Sequence, residues 1–344
     1  MTKRKRSEER GCRTVRRLRP AKEPKQHLYL LLDDWERGYS IRRLDVEAFD
    51  SDTNTDLPPK SWNFISHASK IFAMKAKEAS PAIPAFDTHT MSLTICPWPS
   101  CRADYLFLFL EDRTEYLASP PPYDSNAPWS WSTINSPLPF YNVQIACYAL
   151  HPDGRTLFVS AGSRRKNLPS TFSFDAERLE WTHHGDWLLP FAGQAYFDAE
   201  LEAWVGLARD KESSGYLCSC DVPPVAAKLT SPPSWKLGQN KMFSKESELY
   251  RGAKLVYMGD SKFCLVESLF HKDDQYLRRD PTEMDLCDGC PPRRRRVLHM
   301  ITFGLKYNKA GNLQIMLRQA HACMMFKRPH DFTEPSLEPL AFWI

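Results

Sequence analysis

Long apolar runs are missing from this chain. The longest clear one is Tyr105–Leu110, far short of the about 18 residues that a membrane-crossing helix needs. The basic N-terminus holds no apolar stretch before His27, so a secretory signal pattern is not expected there. Glycine is scarce, at 14 of 344 residues. The motifs of several chemistries are also missing. There is no Gly-x-Ser-x-Gly elbow to present a nucleophilic serine. Gly-x-x-x-x-Gly-Lys-Ser/Thr, Gly-x-Gly-x-x-Gly and His-Glu-x-x-His do not occur either, which removes the phosphate-loop, dinucleotide-fold and zinc-protease patterns. What is present is 42% hydrophobic residues, 12% aromatics and 27 prolines. That is ample for a core, and it favours many short strands joined by proline-bearing turns over a helical bundle.

The net charge of +4 is an average over two unlike parts. Residues 1–27 carry eleven Lys/Arg against three Glu, a net +8, so residues 28–344 carry −4. A segment so charged, with Val15 and Leu18 as its sizeable apolar residues, buries too little surface to offset its ordering entropy; a disordered tail is expected over 1–27. Within it, Lys3, Arg4, Lys5 and Arg6 form a nuclear-import candidate, or else a solvated cluster. The expected location is intracellular, nuclear or nucleo-cytoplasmic. Ten cysteines accompany this pattern. In a reducing compartment they are expected to be buried free thiols. The pairs Cys218/Cys220 and Cys287/Cys290, the latter with His299 nearby, lack the spacing of a four-ligand zinc site. No metal and no cofactor are expected.

Internal similarity is more informative. Phe174-Asp175-Ala-Glu-Arg-Leu-Glu-Trp181 matches Phe197-Asp198-Ala-Glu-Leu-Glu-Ala-Trp204, and Phe86-Asp87 followed by Leu93 keeps the same spacing. The pattern predicts a hairpin in which a strand ends in an aromatic residue and Asp accepts bonds from turn amides two residues on. The aromatic and the returning residue then pack across the strand pair. Apolar-Asp pairs recur at Asp45, Asp87, Asp124, Asp175 and Asp221, with Phe303-Gly304 in a sixth comparable place. Each follows a candidate strand: Leu28–Asp33, Lys70–Met74, Tyr105–Leu110, Thr156–Ser160, Ala203–Leu207 and Phe263–Val266. Strands recurring every ~45 residues are the signature of propeller blades; a β-sandwich is the alternative. His151-Pro-Asp-Gly154 adds a tight turn between Cys147–Leu150 and Thr156–Ser160, with His151 as an exposed turn residue.

The stretches Leu28–Ile41, Tyr148–Ser160, Thr171–Trp181, Gly185–Phe191 and Tyr216–Asp221 resemble a large grass-plant family of unknown function, over roughly residues 27–330. The resemblance implies no activity. Its blades are in turn similar to kelch and F-box-associated repeats, although this chain lacks the paired glycines of kelch. It also has no room for an F-box before Leu28, so a ubiquitin-ligase adaptor role is not implied.

Candidate chemistry is thin. Asp33-Asp34 and Asp273-Asp274 are neighbours that point apart in extended chain, unsuited to acid/base work. His183-His184, expected at a strand end or loop, lacks a third and fourth metal ligand. Trp129 and Trp131 alternate as strand residues do, one toward a core and one toward solvent. Arg293, Arg294, Arg295 and Arg296 close an expected insertion loop, about 271–296, where a binding function would sit.

These observations predict an all-β, kelch-like propeller, most simply six-bladed, over 28–330, with a C-terminal extension at 331–344 and ring closure near Ala322–Phe326. The function expected is a non-enzymatic, monomeric scaffold that binds another protein. Nucleic acid is disfavoured because the body is acidic, and no membrane role is expected. An enzyme or small-molecule binder using the central channel is the competing class. A polyanion-binding regulator using the two basic runs is a third.

Overall fold

The computed structural model describes residues 25–33, 39–46, 51–57, 62–67, 69–75, 83–96, 114–117, 131–134, 138–163, 168–226, 231–272, 296–325 and 339–344. Every regular element among them is a strand. The first sheet takes β1 (Leu28–Asp33), β2 (Tyr39–Leu44) and β3 (Ser51–Leu57). The second is β4 (Trp62–His67), β5 (Lys70–Lys75), β6 (Ile83–Asp87) and β7 (Ser92–Cys96). A two-stranded pair follows, β8 (Thr114–Leu117) with β9 (Trp131–Ile134). The fourth unit is β10 (Phe140–Leu150), β11 (Thr156–Ser163), β12 (Pro169–Asp175) and β13 (Glu180–Gly185). The fifth is β14 (Phe191–Asp198), β15 (Ala203–Ala208), β16 (Tyr216–Asp221) and β17 (Trp235–Lys241). The sixth is β18 (Tyr250–Tyr257), β19 (Lys262–Phe270), β20 (Arg296–Tyr307) and β21 (Leu313–Met325). The last strand, β22 (Leu340–Trp343), returns to the first sheet and completes it in the order β22-β1-β2-β3.

Each four-stranded unit is an antiparallel meander, the repeating element of a propeller-like fold. The expected strands Leu28–Asp33, Lys70–Met74, Thr156–Ser160, Ala203–Leu207 and Phe263–Val266 fall on β1, β5, β11, β15 and β19, the second strand of each unit. These are the most apolar segments because a second strand is covered on both faces. β15 (Ala-Trp-Val-Gly-Leu-Ala) is buried along its whole length. Expected strand Tyr105–Leu110 lies outside the described residues.

The cores lie between successive sheets. Trp204 and Ala208 of β15 join Cys147, Ala149 and Phe158 of the fourth unit, while Val205 and Leu207 join Phe263, Leu265, Ile301 and Phe303 of the sixth. Cys264, Val266, Leu298 and Met300 on the far side of the sixth unit pack against Leu28, Leu30 and Leu32 of the first. Tyr29, Leu31 and Phe342 then meet Phe64, Ile71 and Phe86 of the second. Period-two alternation thus sends each strand's side chains into two different cores.

Closure differs from the sequence expectation. Ala322–Phe326 does not close the ring: residues up to Met325 belong to β21 and pair with β20, Ala322 opposite His299. The closing strand is β22, antiparallel to β1 with Tyr29 opposite Phe342 and Leu30 opposite Ala341. It lies within the expected C-terminal extension. At the joint the His27 amide donates to the Ile344 carbonyl at 2.7 Å and the Ile344 amide returns a bond to His27 at 3.1 Å. Trp343 Nε1 donates to Gln26 Oε1 at 2.9 Å. Lys25–His27 is therefore held in place beside the closing strand. Residues 1–24 lie outside the described residues.

The first strands of the fourth and fifth units pair in parallel, Cys147 opposite Gly193 and Ala149 opposite Ala195. This pairing coincides with a register shift in β14 between Ala192 and Tyr196. Gly193 takes a left-handed backbone there, φ +71°, which suits a residue without Cβ.

Trp204 is the largest fully buried side chain among the described residues. Its Nε1 donates to the Leu150 carbonyl at 2.9 Å, and its ring packs edge-on to Phe158 at 5.2 Å. Trp204→Ala should lower unfolding stability by about 3–5 kcal/mol, measured by urea denaturation. A loss below about 1 kcal/mol would contradict the inter-sheet core described here.

Candidate interaction surface

Aspartate holds the turn tips at Asp87 and Asp175. Asp87 Oδ1 accepts the amides of His89 and Thr90 at 2.9 and 3.3 Å. Asp175 Oδ1 accepts those of Glu177 and Arg178 at 2.9 and 3.1 Å. Phe86 stands opposite Leu93 and Phe174 opposite Trp181, as the seven-residue spacing requires. Asp45, Asp87, Asp175 and Asp221 all close or follow the third strand of their sheets; Asp45 accepts from Lys25 Nζ at 2.5 Å. Asp124 lies outside the described residues.

One tip departs from the expected register. Phe303-Gly304 lies inside β20, and the equivalent turn residue is Asn308, whose Oδ1 accepts the amides of Ala310 and Asn312 at 2.9 Å each. The Phe197-Asp198 hairpin pairs Phe197 with Trp204 as its spacing requires; it joins the first and second strands of its unit, whereas the Phe174-Asp175 hairpin joins the third and fourth. Sequence similarity to the Phe174 hairpin reports the turn and not its place in the blade.

Asp198 also links two units. Fully buried, it accepts from the Leu201 amide at 2.9 Å and from Ser261 Oγ of the sixth unit at 2.8 Å. Gly259, Asp260 and Ser261 are three successive left-handed residues, with φ 84°, 50° and 54°. A run of this kind persists only where surrounding contacts enforce it, and the Asp198–Ser261 bond is one of them. The only sequence signal for this contact was the Asp itself.

Among the described residues, His151, His183, His184 and four thiols are held by neighbours within the fold. His184 lies at the end of β13, one residue before its last: it is buried, its Nε2 is 2.8 Å from Ser173 Oγ and its ring is 4.7 Å from Phe158. His183, on the opposite side of the strand, reaches Asp186 at 3.1 Å. His151 is half-buried rather than exposed, its Nδ1 accepting from the Asp153 amide at 3.2 Å. Cys147, Cys218, Cys220 and Cys264 are buried free thiols. Burial raises all four; Cys147 reaches about 11 and Cys264 about 12, so none is a thiolate near neutral pH. Among the described residues no three His, Cys, Asp or Glu side chains converge as a metal site would require. Cys287 and Cys290 lie outside the described residues. His299 sits in β20, 3.9 Å from Glu267, whose burial raises its pKa.

What the described surface does offer is apolar side chains on the outermost strands. Seven large hydrophobics are exposed, and five of them lie there: Leu93 and Ile95 on β7, Trp235 and Leu237 on β17, Met316 on β21. Of the arginine run, Arg293, Arg294 and Arg295 lie outside the described residues. Arg296 is not a loop residue: it opens β20 opposite Phe270 and Met325. Lys3, Arg4, Lys5 and Arg6 lie outside the described residues, as do Trp129, Asp34, Asp273 and Asp274.

A family model described as Protein of unknown function (DUF1668) matches residues 25–324, which span these sheets from the N-terminal clasp into β21. The chain belongs to DUF1668. No curated protein matches this DUF1668 chain. Among solved structures, Hsv2 of Kluyveromyces lactis is similar at 10% identity and a TM-score of 0.39, covering 85% of this chain and 99% of that one. TolB from Acinetobacter baumannii is similar at 11% identity and a TM-score of 0.31, with 92% of this chain and 66% of that one covered.

The tips make the DUF1668 chain acid-sensitive in a defined window. Burial opposes ionisation of Asp153, but the Thr156 hydroxyl, the Arg155 and Thr156 amides and nearby His151 outweigh it and hold the carboxyl at about 2 against an ordinary 3.8. A depressed folded pKa stabilises fully above the ordinary value and loses that contribution as pH falls from 3.8 toward about 2. Asp153→Asn should therefore be less stable than the parent at pH 6, the gap closing across that window in urea titrations. A gap independent of pH would contradict the assignment.

Proposed function

We propose that this chain is a six-bladed, kelch-like propeller that acts as a non-enzymatic scaffold and binds another protein on the outer rim of its blades. The β8–β9 pair counts as the third blade, with Asp124 in the connection between its two strands. The observation that carries the binding reading is the placement of exposed Leu93, Ile95, Trp235, Leu237 and Met316 on outermost strands. Leu93 with Ile95, and Trp235 with Leu237, stand two residues apart on one face of an edge strand, and apolar groups paired in this way, unlike singly scattered ones, suit a contact surface. The described ionisable groups support the same reading, because Asp87, Asp153, Asp175 and Asp198 are engaged in holding turns. The scaffold works in the nucleus, where Lys3, Arg4, Lys5 and Arg6 bring it.

Photo-crosslinking residues placed singly at Ile95, Trp235 and Gln319 of the full chain in cells should give protein adducts of higher mass from at least one rim position. A control position in an exposed turn, Glu177, should give none. Adducts at Glu177 alone, or none at any position, would overturn the rim-binding reading. Neutralising Lys3–Arg6 should abolish nuclear accumulation of a fluorescent fusion; unchanged accumulation rejects the import assignment.

A further inference from the structure

β21 differs from the other outermost strands. It is 13 residues long, against 7 for β3, 5 for β7, 6 for β13 and 7 for β17. It ends its sheet, so one of its backbone edges has no strand partner among the described residues. Its exposed stretch is Met316, Arg318, Gln319, Ala320 and Ala322. The strand contains no proline and one formally charged residue, Arg318. Natural sheet edges are ordinarily blunted by charge, proline or shortness, since an open row of amides and carbonyls templates another strand. β21 has little of this protection; its one irregularity is the register shift between Thr302 and Gly304 in its pairing with β20.

The segments that form β17, β20 and β21 are basic and free of acids. From Gly289 through His330 the chain has no Asp or Glu and nine Lys/Arg: Arg293–Arg296, Lys306, Lys309, Arg318, Lys327 and Arg328. The 24 residues Val222–Lys245, which include β17, also lack acids and carry Lys228, Lys236, Lys241 and Lys245. The two elements adjoin: Lys236 Nζ lies over the Tyr307 ring at 4.8 Å, beside the turn that leads into β21. Among the described residues, β17, β20, β21 and the turn between β20 and β21 therefore carry Lys236, Lys241, Arg296, Lys306, Lys309 and Arg318 and no Asp or Glu, in a body whose residues 28–344 sum to −4.

We propose that β21 is a strand-addition site for an extended acidic segment of a partner protein, which pairs along Met316–Ala322. This rests on the scaffold reading and specifies its partner. Backbone bonds supply the pairing, and the surrounding cations select acidic side chains over basic ones. A second copy of this chain is a poor occupant, because antiparallel pairing of two β21 edges brings like-charged strands together. Nucleic acid fits less well, since the exposed part of β21 carries no aromatic side chain for base stacking.

The test titrates the full chain with fluorescent peptides and follows anisotropy. A short peptide alternating valine with glutamate should bind. The same peptide with lysine for glutamate should bind far more weakly. N-methylation of alternate amides, which keeps every charge but removes two edge hydrogen bonds, should weaken binding about tenfold. Arg318→Glu, an exposed change that leaves the fold intact by circular dichroism, should weaken it about fivefold. Equal binding of the N-methylated peptide, equal binding of the lysine peptide, or no binding of the acidic one overturns strand addition. Crosslinking separates this from the wider reading. Adducts at Trp235 or Ile95 but none at Gln319 sink strand addition and leave the rim scaffold standing, whereas no adduct at Ile95, Trp235 or Gln319 sinks both.

Discussion

The short antiparallel pairing of β22 with β1 is the contact on which the other sheets depend. A series of meanders that each bury both faces against neighbours leaves two bare faces if the series is open. The sixth unit would expose Cys264, Val266, Leu298 and Met300, and the first would expose Leu28, Leu30 and Leu32. The strand that brings these together must come from the far end of the chain. Four residues, Leu340–Trp343, do so, with the reciprocal His27–Ile344 bonds and the Trp343–Gln26 bond fastening the outer side. Closure by one distant strand ties stability to a long-range contact, which forms late because its loop-closure entropy is paid before its reward.

Within this frame the polar residues have local duties. Aspartates that look like candidate acid/base groups accept turn amides, and Asp198 does so while joining two units through Ser261. Ser160 and Thr171 make a buried chain in the fourth unit: the Leu189 amide donates to Ser160 Oγ, the two hydroxyls are 2.8 Å apart, and Thr171 Oγ1 donates to the Trp187 carbonyl at 2.7 Å. Such bonds fix the connection from β13 into the next unit. The rim remains the part of the described surface whose apolar groups are not consumed by the fold, and its charge is distributed unevenly around the molecule.

Local chemistry was legible in the residues; long-range partnership was not. The second strands were visible because burial on both faces makes them continuous apolar runs, as at Ala203–Ala208. The Phe-Asp hairpins were visible because an Asx turn and a cross-strand aromatic contact need only neighbours in sequence. The same locality sets the limits. Phe197-Asp198 and Phe174-Asp175 obey one hairpin rule at different places in their units. Gly304 satisfied a spacing, but the amides needing an acceptor lie at Ala310 and Asn312, so Asn308 took the turn. Ala322–Phe326 and Leu340–Trp343 are both short, largely apolar stretches of sequence. Nothing local says which pairs with Leu28–Asp33, and the choice fell to β22 because β21 was already claimed by its hairpin with β20. The rim was legible only in composition: the acid-free stretches are visible in the chain, but their adjacency is a product of the fold.

Native-state hydrogen exchange tests closure most directly. If β22 is the strand that holds the ring, the amides of Leu340–Trp343 should exchange with the same protection and the same denaturant dependence as those of β1, because opening one opens the other. Protection of β1 that persists while Leu340–Trp343 exchanges at the rate of a frayed terminus would show that the ring does not depend on its last strand.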